Sequence, residues 1–443
     1  MIFNYIKNSM LKHPEQTISD ETSTITYKQL IDYAERFGKK LTKQKYGLLF
    51  KSELETAKAL LSCLYAKKTA VILSEKYGKV HNDKIINSIK LSHILTDNDI
   101  LSLSECDEYE DLSNIALIMC TSGTTGYPKG AMITYENLLT NLIDIESYFH
   151  INNRDHIFIS RPLYHCAVLT GEFLISLLKG LQITFYSGSL LSAKTIKLFN
   201  EKNCNVFCGT PSMFHYLSLV NLKSTTPIKP RIITISGECM NETTAKIIRD
   251  AFPNTIIYSV YGLTEASPRV CYLPPDKFDE FPLSIGIPLN SLEIKIVDNE
   301  LLVKGKSIMK GYYNDIAATK STIVDGWLHT GDIAEQDDKG MYYIKCRKDN
   351  MIIRAGMNIY PQEIENTLKK HPKIKDVLVF GSRDSSLTDK INIRVVVEEL
   401  TVSDIFEICK NNLSSYQMPD SIEIVTKILK NASGKVMRNE FTK

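Results

Sequence analysis

Along most of the chain, unbroken apolar runs of strand length alternate with stretches in which apolar residues recur every three or four positions. The runs at 114–120 (NIALIMC) and 205–210 (NVFCGT) predict strands buried on both faces. The stretches at 135–149 (YENLLTNLIDIESYF) and 241–252 (NETTAKIIRDAF) predict amphipathic helices. Such alternation predicts an α/β fold with largely parallel sheets. After about residue 283 the pattern shortens to LEIKIVD, ELLVKG and GMYYIKC, which predicts a small β-rich module. From Asp349 a fresh α/β unit begins, with helices near PQEIENTLKK and VSDIFEICKNNL and strands at DVLVFGS and NIRVVVEE. No internal repeat or low-complexity linker interrupts the series.

Length and composition narrow the function class. A chain of 443 residues is too long for one compact core, so two or three domains are expected. The 43% hydrophobic and 23% charged shares are those of an ordinary globular protein, and the formal net charge of +2 exerts no general pull on nucleic acid or acidic membranes. The opening residues MIFNYIKNSMLKHPEQ hold too short an apolar stretch for a secretory signal, and no apolar run reaches membrane-spanning length; a cytoplasmic protein without stable membrane insertion is expected. The ten cysteines are scattered, Cys204 and Cys208 being the closest pair, and none stands at zinc-ligand spacing. Any metal is expected to be a hard cation held by oxygen.

Candidate chemistry begins directly after the first of those strands. TSGTTGYPKG, residues 121–130, places glycines among the hydroxyls of Thr121, Ser122, Thr124 and Thr125, with Gly123, Gly126 and Lys129 completing the set. Glycine leaves backbone amides open to approach and hydroxyls add further donors, a combination suited to the phosphates of a nucleotide. The Gly-Lys-Ser/Thr ending of a Walker loop is absent, since Lys129 stands between Pro128 and Gly130. A mobile polar loop is the plainer alternative.

Three further stretches carry chemistry. In VYGLTEASPRV (260–270), Tyr261 can stack on a flat ring, Thr264 can donate to a phosphate and Glu265 can bind Mg²⁺ bridging phosphate oxygens; a plain strand-to-helix turn suits the same residues equally. In the stretch 325–365, Asp332 can accept both hydroxyls of a ribose and Arg347 can reach the same sugar, or both can be solvated surface groups. In NASGKVMR (431–438), Lys435 follows Gly434 near the chain end, where a lysine is usually just solvated.

Taken together and in this order, the four stretches resemble the superfamily of acyl-CoA synthetases, peptide-synthetase adenylation domains and firefly luciferase, over nearly the whole chain. The resemblance implies a large N-terminal domain of stacked α/β subdomains with a small β-rich module (1–348), binding ATP and the acid, followed by a small mobile C-terminal domain (349–443). It implies that the loop of Thr121, Ser122, Gly123, Thr124, Thr125, Gly126 and Lys129 grips the departing phosphates. Gly237, Glu238, Tyr261 and Gly262 then form an adenine slot, Asp332 and Arg347 a ribose clamp, and Thr264 meets the α-phosphate. Glu265, with Thr121, is implied as the Mg²⁺ site, Lys435 as the catalytic lysine, and Asp349 as the hinge between adenylation and thioester formation. Three positions depart from the pattern: Cys346 stands for a glycine, Asn350 for a second aspartate, and Ala355 for the first glycine of the pair whose second member is Gly356, which lines the thiol channel in relatives. The segment before the phosphate loop is also shorter than usual.

The substrate side gives one clue. RPLYHCAVLTG (161–171) carries no acid before Glu172 to hold an α-ammonium, whereas His165 matches the histidine of aryl- and fatty-acyl-CoA synthetases; a buried histidine with a satisfied ring is the alternative. The acid pocket is expected around His165, Gly209, Met213 and Ala266. The expectation is an AMP-forming acid–thiol ligase using ATP, Mg²⁺ and coenzyme A on a small carboxylic acid. Loading of an acyl, aryl or amino acid onto a carrier-protein phosphopantetheine is the nearest alternative, and a non-catalytic nucleotide-binding homologue a second. No nucleic-acid partner is expected, and the oligomeric state cannot be read from the chain.

Overall fold

The computed structural model describes residues 2–75, 78–97, 99–103, 111–121, 128–188, 193–354, 357–382 and 389–429. The chain divides into two compact units: residues up to Ile294 together with Val303–His329, and Lys295–Leu302 together with the residues from Thr330 on. It therefore passes from one to the other three times.

The first unit is built on two sheets. Among the described residues, one has nine strands in the order Ile287–Pro288, Arg269–Leu273, Ile256–Gly262, Ile232–Ser236, Val206–Gly209, His156–Ile159, Gln182–Phe185, Thr17–Ser19 and Thr24–Thr26. Its centre is parallel and its edges close with antiparallel pairs. Val206–Gly209 and Ile232–Ser236 are buried at every position, as expected of parallel strands covered on both faces. The other sheet has seven described strands: Gly311–Tyr312, Lys129–Thr134, Ile115–Thr121, Thr69–Ile72, Lys45–Leu48, His93–Leu95 and Ile100–Ser102.

Helices start where the sequence supplies caps. Thr134 accepts from the amide of Asn137, whose side chain accepts from Thr134 N–H, a reciprocal cap that fixes the start of helix Tyr135–Tyr148. Asn241 caps Glu242–Ala251. Thr210 caps Pro211–Lys223, whose proline occupies a first-turn position that needs no N–H. The second unit carries an antiparallel pair Ile374–Ser382 and Lys390–Val397, with Ser421–Ile424 added parallel. Helices Pro361–Leu368 and Val402–Asn412 bury Ile364, Leu368, Ile405 and Cys409 in one core with Val377, Val379, Ile391, Ile393 and Val395.

Candidate active site

Strand Ile115–Thr121 leads into the glycine-rich loop and strand Lys129–Thr134 returns antiparallel to it, Thr121 opposite Lys129. The loop thus hangs from a fixed β-neck. Ser122, Gly123, Thr124, Thr125 and Gly126 lie outside the described residues. From the neck, the Lys129 ammonium reaches over the ring of Tyr312, 5.2 Å from its centroid. Tyr312 belongs to the short edge strand that pairs with Lys129–Thr134, opposite Ala131. Its hydroxyl donates to Glu265 Oε1 at 2.8 Å. One tyrosine therefore links a cation over its ring to a carboxylate at its hydroxyl, joining two of the motifs that sequence reading treated separately.

Glu265 sits in the single 3-10 turn Thr264–Ala266 that follows strand Ile256–Gly262. That turn cannot be widened at its start: a Cβ on Gly262 would lie 2.0 Å from the Pro268 carbonyl oxygen, and Leu263 N–H donates to the same oxygen at 2.8 Å. The Glu265 carbonyl accepts from Met309 N–H at 2.8 Å, so both ends of the residue are tied down. Among the described residues no group of three or more His, Cys, Asp or Glu stands together. A lone, half-buried glutamate fits Mg²⁺, which is commonly held by one or two carboxylates plus substrate phosphates rather than by an all-protein cage.

Gly237 follows strand Ile232–Ser236 with φ +96, and a Cβ there would meet only Thr210 Cγ2, at 3.8 Å. The conformation favours glycine and the space beside it is open, as a flat ring would require. The Glu238 carboxylate is engaged nearby: its Oε2 accepts from the backbone N–H and hydroxyl of Ser212 at 3.1 and 2.6 Å, at the start of helix Pro211–Lys223. Gly209 and Met213 come together, a Cβ on the glycine falling 3.3 Å from Met213 Cε, while Ala266 is fully buried. His165 is half-buried, its ring 4.2 Å from that of Tyr164.

Sequence reading noted Glu172 only as the first acid after 161–171 and did not find that it is buried and paired. Glu172 lies in the π-helical turn Leu169–Leu174, all six residues of which are buried, and pairs with Arg161. Burial pushes its carboxyl up, while Arg161 and then Arg269 pull it back. An acid within the apolar run VLTGEFLISLL was the available signal, since a buried charge needs a partner.

In the second unit Asp332 and Arg347 stand directly opposite on antiparallel strands Trp327–Gln336 and Tyr342–Arg347. Arg347 Nη1 donates to Asp332 Oδ1 at 3.1 Å and to the Thr330 carbonyl at 2.8 Å. Glu300, also unforeseen, is buried; it accepts from Gly331 N–H at 2.9 Å and pairs with Lys348 at 3.0 Å. Asp349 lies in the three-residue turn Lys348–Asn350. Gly356 and Lys435 lie outside the described residues, as does Ala355.

Residues 6–313 match the model of the AMP-binding enzyme family, and residues 363–435 match that of the AMP-binding enzyme C-terminal domain. The chain is 32% identical over 333 residues to a 2-succinylbenzoate–CoA ligase of Listeria monocytogenes, covering 75% of this chain and 70% of that protein. It is 30% identical over 349 residues to a long-chain-fatty-acid–CoA ligase of Salmonella typhimurium, covering 74% and 61%. In fold it is similar to o-succinylbenzoate CoA synthetase of Bacillus subtilis in complex with the acyl-adenylate intermediate, with a TM-score of 0.85, 25% identity and coverage of 99% and 98%. The same synthetase in complex with ATP and magnesium ion aligns at a TM-score of 0.84 and 24% identity over 99% and 98%. With the family models spanning most of the chain, the chain belongs to the AMP-binding enzyme family.

Proposed function

We propose that this chain is an AMP-forming acid–CoA ligase acting on an aryl or fatty acid. The observation that carries the reading is the link Lys129–Tyr312–Glu265, in which one tyrosine holds the candidate phosphate-binding cation over its ring and the candidate metal-binding carboxylate at its hydroxyl. In the first half-reaction a carboxylate oxygen of the acid attacks the α-phosphorus of ATP, the bond to the β-bridging oxygen breaks, and pyrophosphate leaves. Lys129 takes up negative charge on the departing phosphates, and Thr264 donates to the α-phosphate. Glu265 would hold Mg²⁺, which neutralises phosphate charge when bound. Lys435 bridges the acyl oxygen and the α-phosphate, a role suited to a compact charge on a flexible stem. Asp332 accepts from the ribose hydroxyls with Arg347 holding its orientation, and Gly237 leaves room for the adenine. In the second half-reaction the thiol sulfur of CoA attacks the acyl carbonyl, the C–O bond to AMP breaks, and AMP leaves; Gly356 lines the path of the thiol and Asp349 is the pivot of the small domain. Such a ligase works where ATP and CoA are supplied, in the cytoplasm, and no described helix is long and apolar enough to cross a membrane.

The test is acid-dependent exchange of labelled pyrophosphate into ATP across aryl and fatty acids, followed by thioester formation on adding CoA. Exchange with at least one acid and a thioester with free CoA are expected. Acyl transfer to a carrier-protein phosphopantetheine but not to CoA would reassign the acceptor. ATP binding without exchange on any acid would leave a nucleotide-binding module and overturn the reading.

A further inference from the structure

Strand Lys45–Leu48 of the seven-stranded sheet opens with a charged residue where an apolar one would be expected. All four of its positions are buried, and Lys45, 1% exposed, is the one buried lysine among the described residues. Its Nζ donates to the Tyr313 hydroxyl at 2.8 Å and lies 4.9 Å from the centroid of the same ring. Tyr313 is 4% exposed and packs with Val71, Leu73, Ile85, Ile89 and Ile118. Burying an ammonium is costly even when it is held by partners, and an apolar side chain would suit the same surroundings without that cost. The hydroxyl that Lys45 holds belongs to the residue next to Tyr312, and that adjacency gives the buried charge a use.

Two consecutive tyrosines thus take a lysine each, with different destinations. Tyr312 lies beneath Lys129 and donates to Glu265, while Tyr313 enters the core and accepts from Lys45. The segment that carries them is slight. Gly311–Tyr312 is a two-residue strand at the sheet edge, Gly311 opposite Met132 and Tyr312 opposite Ala131. Flanking bonds run from Lys310 N–H to the Met132 carbonyl at 2.9 Å and from Tyr313 N–H to the Gly130 carbonyl at 2.8 Å. So short a strand has little pairing of its own to resist a slip, and a slip of one residue exchanges the faces. With tyrosine at both positions, ring size does not tell the two registers apart. A hydroxyl fixed by Lys45 does.

We propose that Lys45 is a positioning residue for the nucleotide site: by holding the Tyr313 hydroxyl in the core it sets the register of Gly311–Tyr312 and keeps Tyr312 against Lys129 and Glu265. The inference rests on the ligase reading for the roles of Lys129 and Glu265 toward ATP, but its test needs no acid substrate.

The test is calorimetric binding of ATP with saturating Mg²⁺, and of AMP, to the wild-type chain, Lys45→Met, Tyr313→Phe and Ile85→Val. AMP lacks the phosphates assigned to Lys129, so it reports on the rest of the nucleotide site. Lys45→Met and Tyr313→Phe should each weaken Mg²⁺–ATP about tenfold and AMP less than about twofold. Ile85→Val thins the same core without touching the pair, so it should lower the melting temperature and leave both affinities unmoved. In a Tyr312→Leu background, Lys45→Met should add no further loss, because a positioning residue acts through what it positions. Equal weakening of ATP and AMP, a fall in melting temperature with both affinities intact, or the full effect persisting in the Tyr312→Leu background would each overturn the proposal. Should Lys45→Met fail to fold, Tyr313→Phe, which keeps its ring in the core, decides alone. Wild-type binding of Mg²⁺–ATP without pyrophosphate exchange on any acid would sink the ligase reading and leave this test standing, whereas no binding of Mg²⁺–ATP at all would overturn both.

Discussion

Tyr312 joins two motifs that are far apart in the chain, and two contributions can be separated in it. An aromatic ring beside a lysine ammonium contributes about 0.5–1 kcal/mol at an accessible site, whereas a hydrogen bond to a carboxylate contributes about 1.5–3 kcal/mol. The hydroxyl should therefore matter more than the ring. Tyr312→Phe keeps the ring under Lys129 and frees the Glu265 carboxylate to turn, so the Mg²⁺ concentration for half-maximal exchange should rise about tenfold, with melting temperature little changed. Tyr312→Leu should add a loss in affinity for ATP and pyrophosphate. An unmoved Mg²⁺ titration in Tyr312→Phe would make the residue simple packing. Lys129 and Glu265 were legible because each sits in a motif whose neighbours, glycine and hydroxyl, belong to the same chemistry. Tyr312 was not, because its partner is 47 residues away and its pairing to Ala131 depends on a strand register that no local pattern encodes.

Strand pairing does the same work for the proposed ribose clamp of Asp332 and Arg347, where one glycine sets the geometry. Gly331 has φ +69, and a Cβ there would fall 2.9 Å from Arg347 Nη2. The backbone strain of Gly331→Ala is about 1–2 kcal/mol, but the clash falls on the far end of a flexible side chain, which can swing away at little cost. Stability should thus fall by only that amount, while Arg347 leaves Asp332 and the KM for ATP rises several-fold; a stability loss with ATP binding intact would remove Arg347 from the clamp. Periodicity located individual elements well. The run ELLVKG is the observed strand Glu300–Gly305, and YENLLTNLIDIESYF became helix Tyr135–Tyr148. The order of strands was beyond it: Val206–Gly209 lies between Ile232–Ser236 and His156–Ile159, and Thr17–Ser19 pairs with Gln182–Phe185, contacts set by packing of covered faces rather than by adjacent sequence. The π-helical turn at Glu172 was likewise hidden, since an apolar run with one acid reads as an ordinary helix until its buried partners are known.

At the scale of the molecule, the proposed alternation between two half-reactions needs a pivot that can change shape without disturbing what it joins. The turn Lys348–Asn350 has that character. On its N-terminal side Lys348 is tied to Glu300 and Arg347 to Asp332; on its C-terminal side Ile352 enters the core of the small α/β unit. Between these anchors Asp349 is exposed, and the turn carries the single hydrogen bond from Met351 N–H to the Lys348 carbonyl, at 3.2 Å. Breaking one such bond costs about 0.5–1.5 kcal/mol, small beside the binding energy of ATP or CoA. Proline at this position holds φ near −65°, within the range of the observed 3-10 turn, while disfavouring other settings and removing the amide hydrogen. Asp349→Pro should accordingly leave the melting temperature within a few degrees of wild type, the restriction that proline places on Lys348 being the main cost. One rotational state would be kept and the other lost. Pyrophosphate exchange and acyl transfer to CoA from supplied acyl-adenylate, measured on one preparation, should therefore diverge, with thioester formation falling far more than adenylation. Parallel losses, or none, would show that Asp349 is an ordinary turn residue and that the two half-reactions do not pivot there.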